Sequence, residues 1–518
     1  MTNAHLDFAA LDALFAPFDR TDAPGFAVGV ALPGRPPYRR GFGMASVELP
    51  VALSPTIRMR IGSTSKHFCA LAVMLLVEQG RLSLDDSPRR HLSELPEWAE
   101  RITLRQLMAH TSGMRDSLDL LLVSAGPGAA APADLQRRLL AGIDSVNFAP
   151  GDDWNYNNGG YVLLSEIVAR TSGEPFPDFL RTRIFDPIGM HDTLVRPLDT
   201  DLLPNSATLH VPRPDGGWSR GIFGPPILGE GGIVSTADDM LKWLRHMGDP
   251  VVGSRASWAE MRTPLTTHGY GLGLRMDEHR GLATVHHAGG VIGGSSQMIK
   301  ILEPELDIIL MTNGRSAIDL YELVDRIIDA CIPGLPPAPE DFGGAPIHGT
   351  FYSADSGRVL RLSAQGDQQL VELGGMALPV RRDTQGWLQV PILPSDLRIM
   401  PVGAGDEVTA VETTEFGKRD RLTRIEPAAG AELADHLGTF EAPGAMLTAR
   451  IEGSPEQPIM TLAGPTGSTV YRLVPLGPSL WQAVSDSPMA LGGSIELDRD
   501  GFRLTTGRTV RLAFGRAA

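Results

Sequence analysis

The stretch GTFYSADSGRVLRL, opening at Gly349, is answered 89 residues later by GTFEAPGAMLTARI, opening at Gly438. Each copy closes on a comparable pattern, RDRLTRIEP near residue 419 and RTVRLAF near residue 508. Between these marks the apolar runs are short, broken by Gly, Asp and Pro, and none has the length or period of a long helix. A repeat of this size built from short strands predicts two successive antiparallel β-barrel domains, over 347–430 and 436–518. Units so small are expected to carry packed cores or interface surfaces rather than cavities for apolar ligands.

Ahead of the repeat lies IPGLPPAPEDFGGAP, residues 332–346, whose proline content marks a linker. Residues 1–331 therefore form a first and larger domain, and 518 residues suffice for such a multidomain chain. Its pattern is mixed. GFAVGVALPG and RRGFGMASVE read as strand, turn and strand, and TSKHFCALAVMLLVEQG at 64–80 is apolar on every side, as a buried helix is. An amphipathic helix is expected from near Gly160, and a capped one within GGIVSTADDMLKWLRHM. Strands are expected in YGLGLRM, SSQMIKILEP and LDIILMTNG, then a helix over 316–330. The fold class is multidomain α+β.

A formal charge of −15 with no concentrated Lys/Arg run argues against a nucleic-acid binder. The start, MTNAHLDFAALDALFAPFD, lacks a basic leader ahead of an apolar stretch and reads as a helix with an apolar stripe. No apolar run reaches membrane-spanning length, so no membrane partner is expected and a cytoplasmic location is the default. Cys69 and Cys331 both sit among apolar residues and are expected to be buried thiols.

GSTSKHF, residues 62–68, leads into the apolar helix. One helical turn brings Ser63 and Lys66 onto neighbouring parts of one face, so the amine can take the hydroxyl proton. Burial at the helix start favours the neutral amine that a base requires, and the exposed N–H groups there favour a developing oxyanion. An ordinary helix cap satisfies the same four residues.

In WNYNNGGY, Tyr156 and Asn158 offer a phenol and an amide on a turn before a helix, able to relay a proton and hold a carbonyl if both enter one cleft. In VHHAGGVIGGSS, His287 precedes Ala288, Gly289 and Gly290, small residues that let a substrate lie against strand backbone. Adjacent histidines alone are poor evidence for zinc, and His286 reads as structural.

Ser63-Thr-Ser-Lys66, Tyr156-Asn-Asn158 and His287-Ala-Gly289 occur in the order and wide spacing of the three signature elements of the penicillin-recognising serine hydrolases, the group containing class C β-lactamases and D,D-carboxypeptidases. The resemblance spans roughly residues 1–330, including the HTSG and GGIVSTADDM segments. His287 stands where that family most often has lysine, which weakens recognition of a substrate C-terminal carboxylate. This departure, the length and the two appended β-domains resemble the branch of the family that acts as D-stereospecific aminopeptidases.

The resemblance implies a β-lactamase-like catalytic domain and two-step acyl transfer without metal or organic cofactor. Ser63 is the implied nucleophile, with Lys66 and Tyr156 a coupled pair that removes its proton. Backbone N–H groups of Ser63 and Gly290 form the implied oxyanion hole, Asn158 and Gly289 bind substrate, and His287 hydrogen-bonds substrate or Tyr156. The expected substrates are short peptides, amides or esters with an unblocked N-terminal D-residue, with β-lactams as possible inhibitors. A loop of the last barrel, GPSLWQAVSDSPMA at 477–490, is expected to narrow the cleft and to offer Asp486 to the substrate ammonium. A homodimer is also implied. Carboxypeptidase, esterase or β-lactamase action remains open within the same chemistry, and so does a receptor without turnover.

Overall fold

In the computed structural model, described for residues 4–266, 269–314, 320–336, 341–373, 376–390, 397–403, 405–415, 418–426, 432–454, 457–485 and 491–517, the chain forms two compact units. One comprises residues 1–92, 103–109 and 160–338; the other comprises 93–102, 110–159 and 339–518.

The first unit is built on a six-stranded antiparallel sheet. Its strands are β1 (Phe26–Ala31), β2 (Tyr38–Phe42), β3 (Arg275–His279), β4 (Leu282–Val291), β5 (Gly294–Ile301) and β6 (Leu306–Thr312), in the order β3-β4-β5-β6-β1-β2. In β1, FAVGVA, large side chains alternate with small ones. Phe26, Val28 and Val30 enter a core with Leu11 and Phe15 of α1 (Phe8–Phe15) and with the closing helix Leu320–Cys331. On the opposite face a Cβ at Gly29 would come within 2.9 Å of Leu241 Cγ. That close approach seats the helix Ala237–Gly248 directly on the sheet, with its N-terminus capped by the Thr236 hydroxyl accepting from the Asp239 N–H.

The serine-lysine stretch is a 3₁₀ turn, Gly62–Ser65, that runs into α2 (Lys66–Glu78). The helix thus starts two residues later than its apolar pattern suggests, because the serines occupy the tighter turn. YGLGLRM contributes only its end to a strand: Tyr270 bridges Arg275, and β3 starts there. α3 (Asn158–Ser172) starts two residues before Gly160. Cys69 and Cys331 are buried free thiols, and burial pushes both up to about 12.

In the second unit the repeat becomes two antiparallel β-domains. The first is a nine-stranded sheet whose end strands, Met376–Pro379 and Arg381–Arg382, flank the buried Val380, so the sheet wraps its own core. The second is a closed eight-stranded barrel. In each, the strand bearing Gly-Thr-Phe is the first: β7 (Gly349–Tyr352) pairs with Val359–Gln365, and β8 (Gly438–Ala442) pairs with Leu447–Ser454. Phe351 and Phe440 are both wholly buried. The terminal echo is also structural, since the last strands, Lys418–Ile425 and Leu512–Arg516, return to pair with β7 and β8. Among the described residues, no helix is long and apolar enough to cross a membrane. Residues 337–340 of the Pro-rich linker lie outside the described residues.

Candidate active site

Ser63, Lys66, His287, Gly289 and Gly290 converge in the first unit. Ile61 is tied to Ile233 by its N–H donating to the Ile233 carbonyl, and the Ile233 N–H donates to Ser65 Oγ. Across from this, β4 carries no side chain that would hold it off. A Cβ on Gly289 would fall 1.9 Å from the Ile61 carbonyl oxygen, and one on Gly62, whose φ is +53°, would fall 2.9 Å from the Gly290 nitrogen. Ser296 Oγ donates to the Ile61 carbonyl at 2.8 Å and lies 3.0 Å from Thr64 Oγ1. Thr64 therefore helps pin the nucleophile turn to the sheet.

Lys66 is fully buried. Its Nζ lies 3.2 Å from Ser63 Oγ and donates to the Glu230 carbonyl at 2.7 Å, with the Tyr161 ring 5.4 Å away. A carbonyl can only accept, so one N–H is committed to Glu230 while the same nitrogen stands within reach of the serine.

His287 is also buried, its Nδ1 2.6 Å from the Ala288 carbonyl and its Nε2 3.0 Å from Tyr270 Oη. The carbonyl fixes the proton on Nδ1, which leaves Nε2 to accept from the Tyr270 hydroxyl. Burial, reinforced by the charge of Lys66, pushes the imidazole down to about 3, so it is neutral at ordinary pH. Tyr270 was missed by sequence reasoning; an aromatic in a glycine-rich stretch carries no sign that it partners a histidine on another strand. His67 stacks on Trp243 at 5.1 Å and is held neutral by burial, with His287 a smaller contribution. His286, read as structural, lies 3.9 Å from Asp277 on the adjacent β3.

Tyr156 and Asn158 belong to the second unit. His110 of HTSG, with φ +63°, lies tilted against Tyr156 with ring centres 4.3 Å apart, accepts the Asn157 N–H on Nδ1 and receives the Asn155 N–H on its carbonyl. Asn158, the first residue of α3, donates from Nδ2 to Asp116 Oδ2 at 3.0 Å, and the Gly159 N–H reaches the other oxygen of the same carboxylate. Asp116 and His110 were not singled out from the sequence, although the HTSG segment flagged their neighbourhood. Asp486 lies outside the described residues.

A family model described as Beta-lactamase matches residues 11–329. The chain belongs to that family, the class C β-lactamase and D,D-peptidase-like serine hydrolases. Among its relatives, a D-aminopeptidase of Gluconobacter oxydans is 26% identical over 83% of this chain and 81% of that protein. A D-aminopeptidase of Brucella anthropi is 25% identical over 94% of this chain and 93% of that protein. Among solved structures, the D-amino acid amidase of Ochrobactrum anthropi SV3 complexed with D-phenylalanine is 25% identical, with a TM-score of 0.54, over 62% of this chain and 98% of that one.

Proposed function

We propose that this chain is a D-stereospecific aminopeptidase, releasing an unblocked N-terminal D-residue from short peptides, amides or esters through an acyl-enzyme on Ser63. The observation that carries the reading is the buried Lys66 nitrogen 3.2 Å from the Ser63 hydroxyl and held by the Glu230 carbonyl at 2.7 Å. Lys66 Nζ and the Tyr156 oxygen, acting as a coupled pair, take the Ser63 proton as Oγ forms the bond to the substrate carbonyl carbon. The N–H groups of Ser63 and Gly290 receive the oxyanion, a contribution of about 3 kcal/mol per donor. The proton passes to the departing amine or alcohol, and water then attacks the ester with the proton flow reversed. Asn158 orients the substrate amide, Gly289 leaves room for it beside β4, and His287 lends polarity without charge.

That neutrality supports recognition of the amine end. A site that reads a terminal carboxylate gains from a fixed cation, and His287 supplies none. The D-aminopeptidase relatives support the same direction. Asp486 is the proposed partner for the substrate ammonium, on the sequence position of its loop alone. Within this reading fall division into a catalytic domain at 1–331, a linker at 332–346 and β-domains at 347–430 and 436–518, as well as a homodimer, sensitivity to β-lactams and a cytoplasmic location.

The test crosses D/L configuration with a free or acetylated amine on alanine p-nitroanilide, alongside mass analysis after fluorophosphonate treatment. Label on Ser63 and turnover confined to the free D-amine are expected. Equal turnover of the acetylated substrate would remove the aminopeptidase assignment, and label elsewhere would remove Ser63.

A further inference from the structure

The closed barrel does more than cap the chain's end. Its last hairpin, between the strands Gly501–Thr505 and Leu512–Arg516, is fastened to the 110–159 segment of the same unit from both sides. The hydroxyls of Thr506 and Thr509 both donate to Asp119 Oδ2, the second at 2.7 Å, although Asp119 is only 1% exposed. On the other side Asn147 donates from Nδ2 to the Arg508 carbonyl at 2.8 Å and accepts the Val510 N–H at 2.9 Å. Arg115 donates to the Val510 carbonyl at 2.7 Å and to Asn147 Oδ1 at 3.0 Å. Thr506 Oγ1 also accepts the N–H groups of Arg508 and Thr509.

This clamp holds the turn that carries Arg508. Arg508 lies with its guanidinium carbon 5.1 Å from the centre of the Tyr156 ring and donates from Nη1 to Asp116 Oδ2 at 3.1 Å. Asp116 Oδ2 is the same oxygen that receives the Asn158 amide. Burying Asp119 costs free energy that its two hydroxyl partners offset in part: its carboxyl is pushed upward by desolvation against their pull. An attachment of that cost is accounted for if the hairpin must be held in one place.

We propose that Arg508 is a positioning residue of the active site, delivered by the C-terminal barrel to favour the ionised form of Tyr156 and, through Asp116, to hold the Asn158 amide in place. The inference rests on the reading of Tyr156 as a member of the proton-abstracting pair. A fixed cation beside a phenol favours its ionised form, and the Arg508 guanidinium carbon lies over the Tyr156 ring. The barrel thereby becomes part of the catalytic apparatus through a hairpin other than the 477–490 loop.

The experiment compares full-length wild type with Arg508→Gln, Arg508→Lys and Tyr156→Phe, recording kcat and KM against pH on a D-amino acid p-nitroanilide and thermal unfolding for each. Arg508→Gln is expected to lower kcat about tenfold or more and to move the acidic limb of the kcat profile up by about one pH unit, at little change in KM. Arg508→Lys, which keeps the charge, is expected to restore the limb to within a few tenths of the wild-type position. A limb that stays put in Arg508→Gln while Tyr156→Phe is inactive would overturn this inference alone. Full activity in Tyr156→Phe would overturn the reading beneath it. Should Arg508→Gln unfold at assay temperature, the Arg508→Lys profile decides: a wild-type limb with reduced kcat supports the proposal, and a limb displaced as far as one unit overturns it.

Discussion

Lys66 Nζ lies 3.2 Å from Ser63 Oγ and 2.7 Å from the carbonyl of Glu230, with no exposed surface of its own. Two constraints on one nitrogen make its direction independent of substrate. Replacing Lys66 by Met keeps the length and apolar stem but removes the base, and is expected to lower kcat by about 10²–10⁴-fold. Ser63→Ala should abolish both turnover and fluorophosphonate labelling. Steady-state rates and intact-protein mass, with thermal unfolding as the control on folding, check both.

His287 predicts a negative pH result. Its imidazole is held down to about 3, so it contributes no titration between pH 5 and pH 8, and the acidic limb of the activity profile should have the same position in His287→Gln as in wild type. Tyr270→Phe removes the donor to the buried Nε2, leaving an unsatisfied acceptor that costs about 1–3 kcal/mol. Stability should fall by that amount in denaturant titration, while the acidic limb stays in place.

How far the sequence carries depends on whether a property is local. Alternation in FAVGVA, the apolar run after Lys66 and the Gly-Thr-Phe echo all report the residue's own strand or helix, and each became the element its pattern implies. Ser63 and Lys66 are one turn apart, so their meeting was legible as well. Tyr270, Asp116 and Arg508 act on residues 17, 42 and hundreds of positions away. Such partnerships depend on register and on hairpin docking, which no short window encodes. Arg508 in TTGRTVR is indistinguishable from a solvated turn arginine until the clamp around it is seen.

Two adjacent glycines should behave as opposites. A methyl group on Gly289 would drive into the Ile61 carbonyl, whereas one on Gly290 meets nothing within 4 Å. Gly289→Ala is expected to part β4 from the nucleophile turn, with stability reduced by about 1–3 kcal/mol and kcat/KM by at least tenfold. Gly290→Ala keeps its N–H and should leave stability within about 0.5 kcal/mol of wild type. Calorimetry on the pair discriminates.

Lys300 and Asp307 face each other as register partners of β5 and β6, 2.7 Å apart and both buried. Burial pushes the Asp307 carboxyl up to about 6 against the pull of Lys300, so desolvation outweighs the attraction. The folded protein then binds this proton near pH 6, whereas the unfolded chain binds it only near pH 4. Stability from this group is therefore present below pH 4 and declines as pH rises through 6. Removing one partner leaves the other charge buried, so Lys300→Met and Asp307→Leu are each expected to cost about 3–5 kcal/mol at pH 7. The double variant, which replaces both charges with apolar groups, should recover most of that loss and flatten the decline between pH 4 and pH 6. Urea denaturation of the four proteins across that range measures the coupling directly, and single losses that simply add in the double variant would show that the two groups do not act as a pair.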